Sequence, residues 1–364
     1  MIKTVQFRIY PSVKQKRLIN EQLECHRLLY NTVLDDAEKT YEKDKTKISD
    51  FDLIKKWVKH FREVDERFKT CNYSSLQHTV RRFGKARTAM IKKRSGKQCC
   101  KLRFKPSHRF NSIEYTKGDG IRVKKGGFYI QGVGEIKAFW HTNVPDYNYA
   151  ILTRRGDSLY VSLCYKYENG VSPNVEEKSI GVDFGIKTFL TLSDGQTIKS
   201  PRFYKQDSKQ LKKAHRKIHA TEKCGSKRKK AVKVVQKINK RITNRRKNFN
   251  HQITRQLVNS YSLICLEDLD STDLDCYTEV NKAIRDLGFG QFKSFLSYKA
   301  ENAGKKVVFV SPAYTSQKCS NCGDLVPKKL SERTHKCKCG YMEDRDVNAA
   351  KNILALGLQS LKEA

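Results

Sequence analysis

Near the end of the chain, Cys319 and Cys322 form a C-x2-C pair followed by Gly323, and Cys337 and Cys339 form a C-x-C pair followed by Gly340. The loop of 14 residues between the pairs carries Lys328, Lys329 and Lys336 and is too small to have a core of its own. A loop of this kind folds when a metal ion ties it, and thiolates at these spacings match a tetrahedral zinc site. His335 can substitute for one thiol, so the ligand set is either the four cysteines or three of them with His335. Asp344 and Asp346 follow almost at once, ahead of "VNAAKNIL", a good helix sequence. A metal-tied loop therefore hands the chain directly to acidic residues at a helix start.

Those acids stand in a strongly basic chain. Lys and Arg number 74 against 38 Asp and Glu, a formal net charge of +36. Such an excess repels itself unless a polyanion neutralises it. No long uncharged apolar stretch is present, and "MIKTVQFRIYPSVKQ" lacks the apolar core of a signal peptide. The expectation is a nucleic-acid partner, no membrane, and a cytoplasmic location. The cysteines outside the loop (Cys25, Cys71, Cys99, Cys100, Cys164, Cys224, Cys265 and Cys276) show no repeating spacing and read as reduced thiols rather than a disulfide framework.

"KTVQFRIYPS" alternates apolar and polar residues and stops at Pro11, which predicts a strand. From Gln15 to about Gln98 the pattern is helical: Leu18, Leu23, Leu28, Leu29 and Val33, then Trp57 and Phe61, then Leu76, Val80, Phe83 and Met90. The other faces of the third helix carry Arg81, Arg82, Lys85, Arg87, Lys92, Lys93 and Arg94, which predicts phosphate contact. Between Leu102 and Tyr167, short alternating runs broken by Lys-Gly-Gly and Arg-Gly-Asp predict a small antiparallel β-barrel. The opening strand is expected to join it. Residues 1–10 and 99–170 then form the barrel, 11–98 a helical insertion and 171–177 a linker.

"KSIGVDFGIKTFLTLSDGQTIK" predicts two or three antiparallel strands. Residues 202–248 hold 19 Lys and Arg and two acids, Asp207 and Glu222. Val232, Val235, Ile238, Ile242, Phe249, Ile253 and Leu257 mark one face of a long helix within a basic hairpin, 202–258. Arg216, Lys237, Arg241, Arg245 and Arg246 are its candidate nucleic-acid contacts. "YSLICLEDL" and "KKVVFVSP" read as buried strands, with "TEVNKAIRDLGFGQFKSFLSYKAENAG" as a helix between them. Strands followed by strand–helix–strand–helix suit an α/β layer with a mixed sheet.

Three acids fall at telling places on that layer. Asp183 interrupts the apolar run "IGVDFGI", Glu267 follows "LICL", and Asp346 precedes the last helix, where it can also act as the N-cap. A carboxylate inside a buried strand is costly unless paired, hydrogen-bonded or metal-bound. Three carboxylates converging at one sheet edge can hold two Mg²⁺ ions roughly 4 Å apart, the arrangement that hydrolyses phosphodiesters.

The ordered segments "GVDFGIKTFLTLSDG", "LICLEDL", "SPAYTSQKCSNCG" and "CGYMEDRDVNAAKNIL", with the opening "KTVQFRIYPSVKQKRLINEQLECHRLLYNTVL", closely resemble the transposon-encoded TnpB (OrfB) family of RNA-guided DNA endonucleases, relatives of the compact type V CRISPR effectors. The resemblance implies an α/β fold plus β-barrel and helical insertion. It implies a ribonuclease-H-like (RuvC) nuclease domain, 178–314 and 343–364, with a zinc knuckle inserted at 315–342. It implies catalytic, magnesium- or manganese-binding roles for Asp183, Glu267 and Asp346, and four zinc ligands, Cys319, Cys322, Cys337 and Cys339. The C-x-C pair departs from the usual C-x2-C. The implied partners are a transposon-derived guide RNA and a double-stranded DNA target in a prokaryotic cell. Base pairing would read the sequence while the protein holds backbone and shape. Tyr73, Ser75 and Gln77 are the candidates for reading a short duplex motif beside the target. A guide-free structure-specific nuclease using the same acids, and a non-cleaving DNA-binding accessory protein of transposition, are the alternatives.

Overall fold

The computed structural model describes residues 2–94, 101–166, 178–222, 225–268, 286–328 and 332–363. The chain divides into two compact units, 1–168 and 169–364. Expectations for Cys99, Cys100, Cys224, Cys276 and Lys329, for the side chains of Lys92, Lys93 and Arg94, for the linker 171–177, and for the helical reading of 278–285 lie outside the described residues. Among the described residues, no helix is long and apolar enough to cross a membrane.

In the first unit, β1 (Ile2–Tyr10) buries Phe7 and Ile9 and turns Arg8 and Tyr10 outward, as its alternation requires. Ser12 then starts α1 (Val13–Asp44) with a reciprocal cap: its hydroxyl accepts from the Gln15 N–H at 3.2 Å, and Gln15 Oε1 accepts from the Ser12 N–H at 3.0 Å. Short helical segments between Asp50 and Lys69 lead to α2 (Tyr73–Arg94). Six strands follow: β2 (Ser112–Thr116), β3 (Ile121–Lys124), β4 (Gly127–Ile130), β5 (Gly134–Phe139), β6 (Tyr149–Arg155) and β7 (Ser158–Lys166). With β1 they form one antiparallel sheet in the order β2-β6-β7-β1-β5-β4-β3.

The expected antiparallel barrel is a half-barrel. Its edge strands, β2 and β3, meet only at a single bridge between Lys117 and Ile121. The start of α2 packs at this opening. The Asp119 carboxylate, between two glycines at positive φ, accepts from Asn72 Nδ2 at 2.6 Å and from the Ser74 hydroxyl. A Cβ on Gly120 would lie 2.7 Å from the Asn72 side chain. One hydrophobic core runs through helices and sheet, from Leu23 and Val80 to Phe7 and Leu163. The helical insertion and the sheet are thus separate in chain order but share their packing.

The second unit opens with β8 (Ser179–Phe184), β9 (Thr188–Leu192) and β10 (Thr197–Lys199), an antiparallel meander. Two basic helices follow, α3 (Phe203–His219) and α4 (Ser226–Ser260), which pack on each other through Leu211, Ala214, Val235, Ile238 and Ile242. Then come β11 (Leu263–Glu267), α5 (Phe289–Asn302) and β12 (Lys306–Val310). The sheet order is β10-β9-β8-β11-β12, with β11 parallel to both its neighbours. A small hairpin, β13 (Thr334–Lys336) and β14 (Met342–Asp344), leads into α6 (Arg345–Lys362). Helix α6 lies very close to the sheet. A Cβ on Gly181 of β8 would sit 1.9 Å from the Ala350 carbonyl oxygen, and one on Gly357 would sit 2.2 Å from Cys265 Sγ of β11.

Candidate functional site

The register of β8 against β11 decides where the first two acids lie. Val182 pairs with Leu266, so the next residues, Asp183 and Glu267, stand side by side near the carboxyl ends of adjacent parallel strands. Helix α6 brings the third from the other end of the chain, with Asp346 in its first turn. Burial first, then the charges of Glu267 and Asp346, hold the Asp183 carboxyl well above its ordinary range, while Arg345 opposes them. Asp183 therefore feels both other carboxylates. Glu267 is also pushed up by burial, against a hydrogen bond from Thr315 and the charge of Lys293. Asp346 Oδ1 accepts from Arg345 Nε at 3.1 Å, and its Oδ2 lies 3.5 Å from Arg333.

Asp346 is not the helix cap. Asp344 Oδ1 accepts from the N–H groups of Asp346 and Val347 at 2.8 and 3.2 Å, one residue pair earlier than the sequence reading placed it. The Asp346 carboxylate is left to Arg345 and Arg333, and its charge is felt at Asp183.

The four cysteines form a tight group, with every Sγ within 4.8 Å of the rest. Cys319 and Cys339 are 3.9 Å apart, and Cys322 and Cys337 are 3.5 Å apart. Tetrahedral thiolates at a Zn–S length of about 2.3 Å would be separated by about 3.8 Å, so the donor set fits zinc. Each pair ends in a glycine at positive φ, +86° at Gly323 and +85° at Gly340. These turns let the Gly323 and Gly340 N–H groups reach back to the Cys319 and Cys337 carbonyls. A backbone N–H from Tyr341 holds the Cys339 thiol down at about 6. His335 is fully buried and faces Lys328 outside this group, so the four-thiol set is the one the fold assembles.

The knuckle is stitched to α6 by two asparagines that the sequence reading missed. Asn348 Oδ1 accepts from the Ser320 N–H at 3.0 Å, and its Nδ2 donates to the Lys318 carbonyl at 2.8 Å. Asn352 Nδ2 donates to the carbonyls of Lys318 and Thr315, at 2.7 and 2.8 Å. Buried amides four apart on an apolar helix face were a usable signal, because such groups must find partners. Thr315 offered no such signal.

Three family models match the chain in tandem. Residues 1–46 match a "Helix-turn-helix domain" model of the OrfB group, 162–275 its "Probable transposase" model, and 289–353 the "Cas12f1-like, TNB domain" model. The chain is similar along its length to the TnpB (OrfB) family. A relative from Streptomyces pristinaespiralis, named "Putative RNA-guided DNA endonuclease", is 29% identical over 98% of this chain and 89% of its own. Another from Escherichia coli (strain K12), "Putative RNA-guided DNA endonuclease InsQ", is 22% identical over 98% of this chain and 92% of its own. Among solved structures, the mini-RNA-guided endonuclease CRISPR-Cas_phi3 shares the fold with a TM-score of 0.51 at 10% identity, over 98% of this chain and 92% of that one. Despite its label, the segment matched by the first model folds here as one strand and one long helix.

The remaining candidates divide into exposed and bracing side chains. Tyr73 is 47% exposed, with the Arg62 guanidinium 5.4 Å over its ring, and Gln77 is half-buried. Ser75 is fully buried, its hydroxyl donating to the Asn72 carbonyl at 2.7 Å beside His26, so it starts the helix and cannot read a duplex. Arg81 is exposed. Arg82 donates to the Ser112 hydroxyl at 3.0 Å and lies over Phe110. Ser74, His78 and Arg82, each four residues apart, run along the β2 side and bond Asp119, Thr116 and Ser112 in turn. In the hairpin, Arg241 and Arg245 reach the buried Asp207 at 2.6 and 3.6 Å, and Arg246 pairs with Asp286 at 3.0 Å. These three hold the helices in place. Arg216 and Lys237 are exposed, and Lys237 lines an α3–α4 groove with Lys213, Lys217 and Arg241.

Proposed function

We propose that this chain is an RNA-guided DNA endonuclease of a mobile element, with Asp183, Glu267 and Asp346 as its catalytic carboxylates. The observation that carries the reading is the side-by-side placement of Asp183 and Glu267 at two parallel strand ends, with the charge of Asp346, at one helix start, felt at Asp183, in a chain of net charge +36. An antiparallel meander followed by two parallel strands is consistent with a ribonuclease-H-like, RuvC-type nuclease domain over 178–314 and 343–364, interrupted by the knuckle at 315–342. The half-barrel and helices of 1–170 would hold guide RNA and the duplex motif, with exposed Tyr73 and half-buried Gln77 the candidates for that motif.

Hard carboxylate oxygens suit Mg²⁺ or Mn²⁺, which supply an activated water and offset charge on the leaving 3′ oxygen when bound. The chain's own part is to hold three carboxylates together and to grip phosphates. Burying a carboxylate, and then placing other carboxylates near it, is unfavourable without cations, and Asp183 is raised by both, burial first. Lys213, Lys217 and Lys237 present cations along the hairpin groove without a base-reading element. Zinc at the four thiols would be structural, and the compartment a prokaryotic cytoplasm.

Exchanging the guide segment of the co-purified RNA, with two DNA targets offered together, tests the reading. Cleavage should move to the target matching the new guide when the adjacent duplex motif is kept. Continued cutting of the old target, or equal cutting of branched DNA after ribonuclease treatment, would favour a guide-free nuclease.

A further inference from the structure

We propose that Thr315 is a positioning residue for Glu267, and that through it the zinc knuckle is built into the carboxylate site. The proposal rests on the reading of Glu267 as a metal-binding carboxylate.

Thr315 is only 4% exposed and Glu267 only 6%. The Thr315 hydroxyl donates to Glu267 Oε1, and its nearest competing acceptor, the Pro312 carbonyl, lies at 3.3 Å. One oxygen of Glu267 is therefore engaged, which fixes the plane of the carboxylate and leaves Oε2 for a cation.

The position of Thr315 is itself tightly set. Its carbonyl is held by Asn352, which also holds Lys318, the residue before Cys319. Asn348 fixes the N–H of Ser320, the residue after it. On the other side, Tyr314 sits at φ +62°, a left-handed conformation that a bulky non-glycine residue rarely adopts. Such a backbone persists where its surroundings over-determine it. Here the Tyr314 carbonyl accepts from the N–H groups of Gln317 and Lys318 at 3.0 and 2.9 Å. The first thiol turn, the helix bearing Asp346 and the hydroxyl on Glu267 thus form one hydrogen-bonded unit. Groups that orient metal ligands from behind typically alter metal affinity by about 10–100-fold when removed.

The test uses the full chain, freed of nucleic acid by high salt, with Mn²⁺ as probe. Mn²⁺ affinity is measured by calorimetry and zinc content by metal analysis. Thr315→Val keeps the shape and removes the hydroxyl, and Thr315→Ser keeps the hydroxyl. We expect Thr315→Val to weaken Mn²⁺ binding by about 10-fold or more, with zinc at the parent's level and Thr315→Ser within about twofold of the parent. Parent-like Mn²⁺ affinity in Thr315→Val would overturn the proposal. So would equal weakening in both variants, or zinc loss in Thr315→Val, since each points to a merely structural role. Glu267→Gln runs in parallel. If it binds Mn²⁺ as the parent does, the carboxylate reading itself fails. If it loses Mn²⁺ while Thr315→Val does not, that reading stands and only the role of Thr315 falls.

Discussion

Asp344 caps the helix that carries Asp346: its Oδ1 accepts the Asp346 N–H at 2.8 Å. The two acids sit two residues apart and do different work, one satisfying orphan backbone donors and one pairing with Arg345 and Arg333 while its charge is felt at Asp183. Replacing Asp344 with Ala should cost about 1 kcal/mol of local stability and lower cleavage partially. Replacing it with Ser or Asn should restore both. Chemical denaturation beside single-turnover cleavage measures this, and full activity in Asp344→Ala would detach the cap from the site.

Asp183→Ala removes a cluster carboxylate and leaves the basic surface intact. Cleavage should be lost, by a factor of about 10³ or more if electrostatic stabilisation by bound cations dominates. Affinity for guide RNA and target should stay within about twofold, because phosphate contacts supply it. Binding and cleavage measured on the same preparation decide it, and undiminished cutting would remove Asp183 from the site.

The knuckle should bring one tightly held zinc per chain. Cys322→Ser takes away one thiolate from a group whose Sγ atoms all lie within 4.8 Å. Zinc content should fall, proteolysis within 319–340 should speed up, and cleavage should drop through the displaced loop. Metal analysis on protein purified without chelator checks the first point. A zinc-free parent would end the assignment.

A buried histidine should make the first unit sensitive to acid. Burial, with the charge of Arg82 adding to it, pushes His26 down to about 3. Its ring is held between the hydroxyls of Thr79, at 2.7 Å, and Ser75, at 3.2 Å. The unfolded chain protonates His26 near its ordinary value of 6.5, so below that pH the unfolded state binds more protons. Stability is therefore fully present above pH 6.5 and falls as pH drops toward 3, by up to about 1.4 kcal/mol per pH step. The chain's two tryptophans, Trp57 and Trp140, both lie in this unit, so their fluorescence follows its unfolding alone. His26→Gln should flatten the slope between pH 7 and pH 5. An unchanged slope would place the acid sensitivity elsewhere.

The acids were legible because a charge inside an apolar run has no cheap explanation, and Asp183 interrupts one. The strands of both sheets were legible from alternation and short apolar runs. Barrel closure was not, since it turns on the packing of Asn72 and Ser74 against Asp119, a contact between distant segments that no local pattern encodes. Ser75 was misread for a related reason. It lies beside exposed neighbours in sequence, but its helix turns it onto His26. The choice between Asp344 and Asp346 as cap lay within the usual boundary error of helix starts. Arg241, Arg245 and Arg246 looked like surface cations because their partners, Asp207 and Asp286, lie 34 to 40 residues away in sequence.

The glycines at 181 and 357 have a meaning for how this protein can change. Each is a notch that lets the last helix lie close on the sheet, one a strand residue two before Asp183 that meets the helix backbone and the other a helix residue that meets the Cys265 side chain. A methyl group at Gly181 would meet the Ala350 carbonyl and force helix and strand apart. The strand that carries Asp183 and the helix that carries Asp346 are thus in backbone contact, although the two arise at far-separated points of translation. Variation can accumulate around the hairpin and the sheet's outer face, but even alanine at 181 would push the helix off its strand and move Asp346 relative to Asp183.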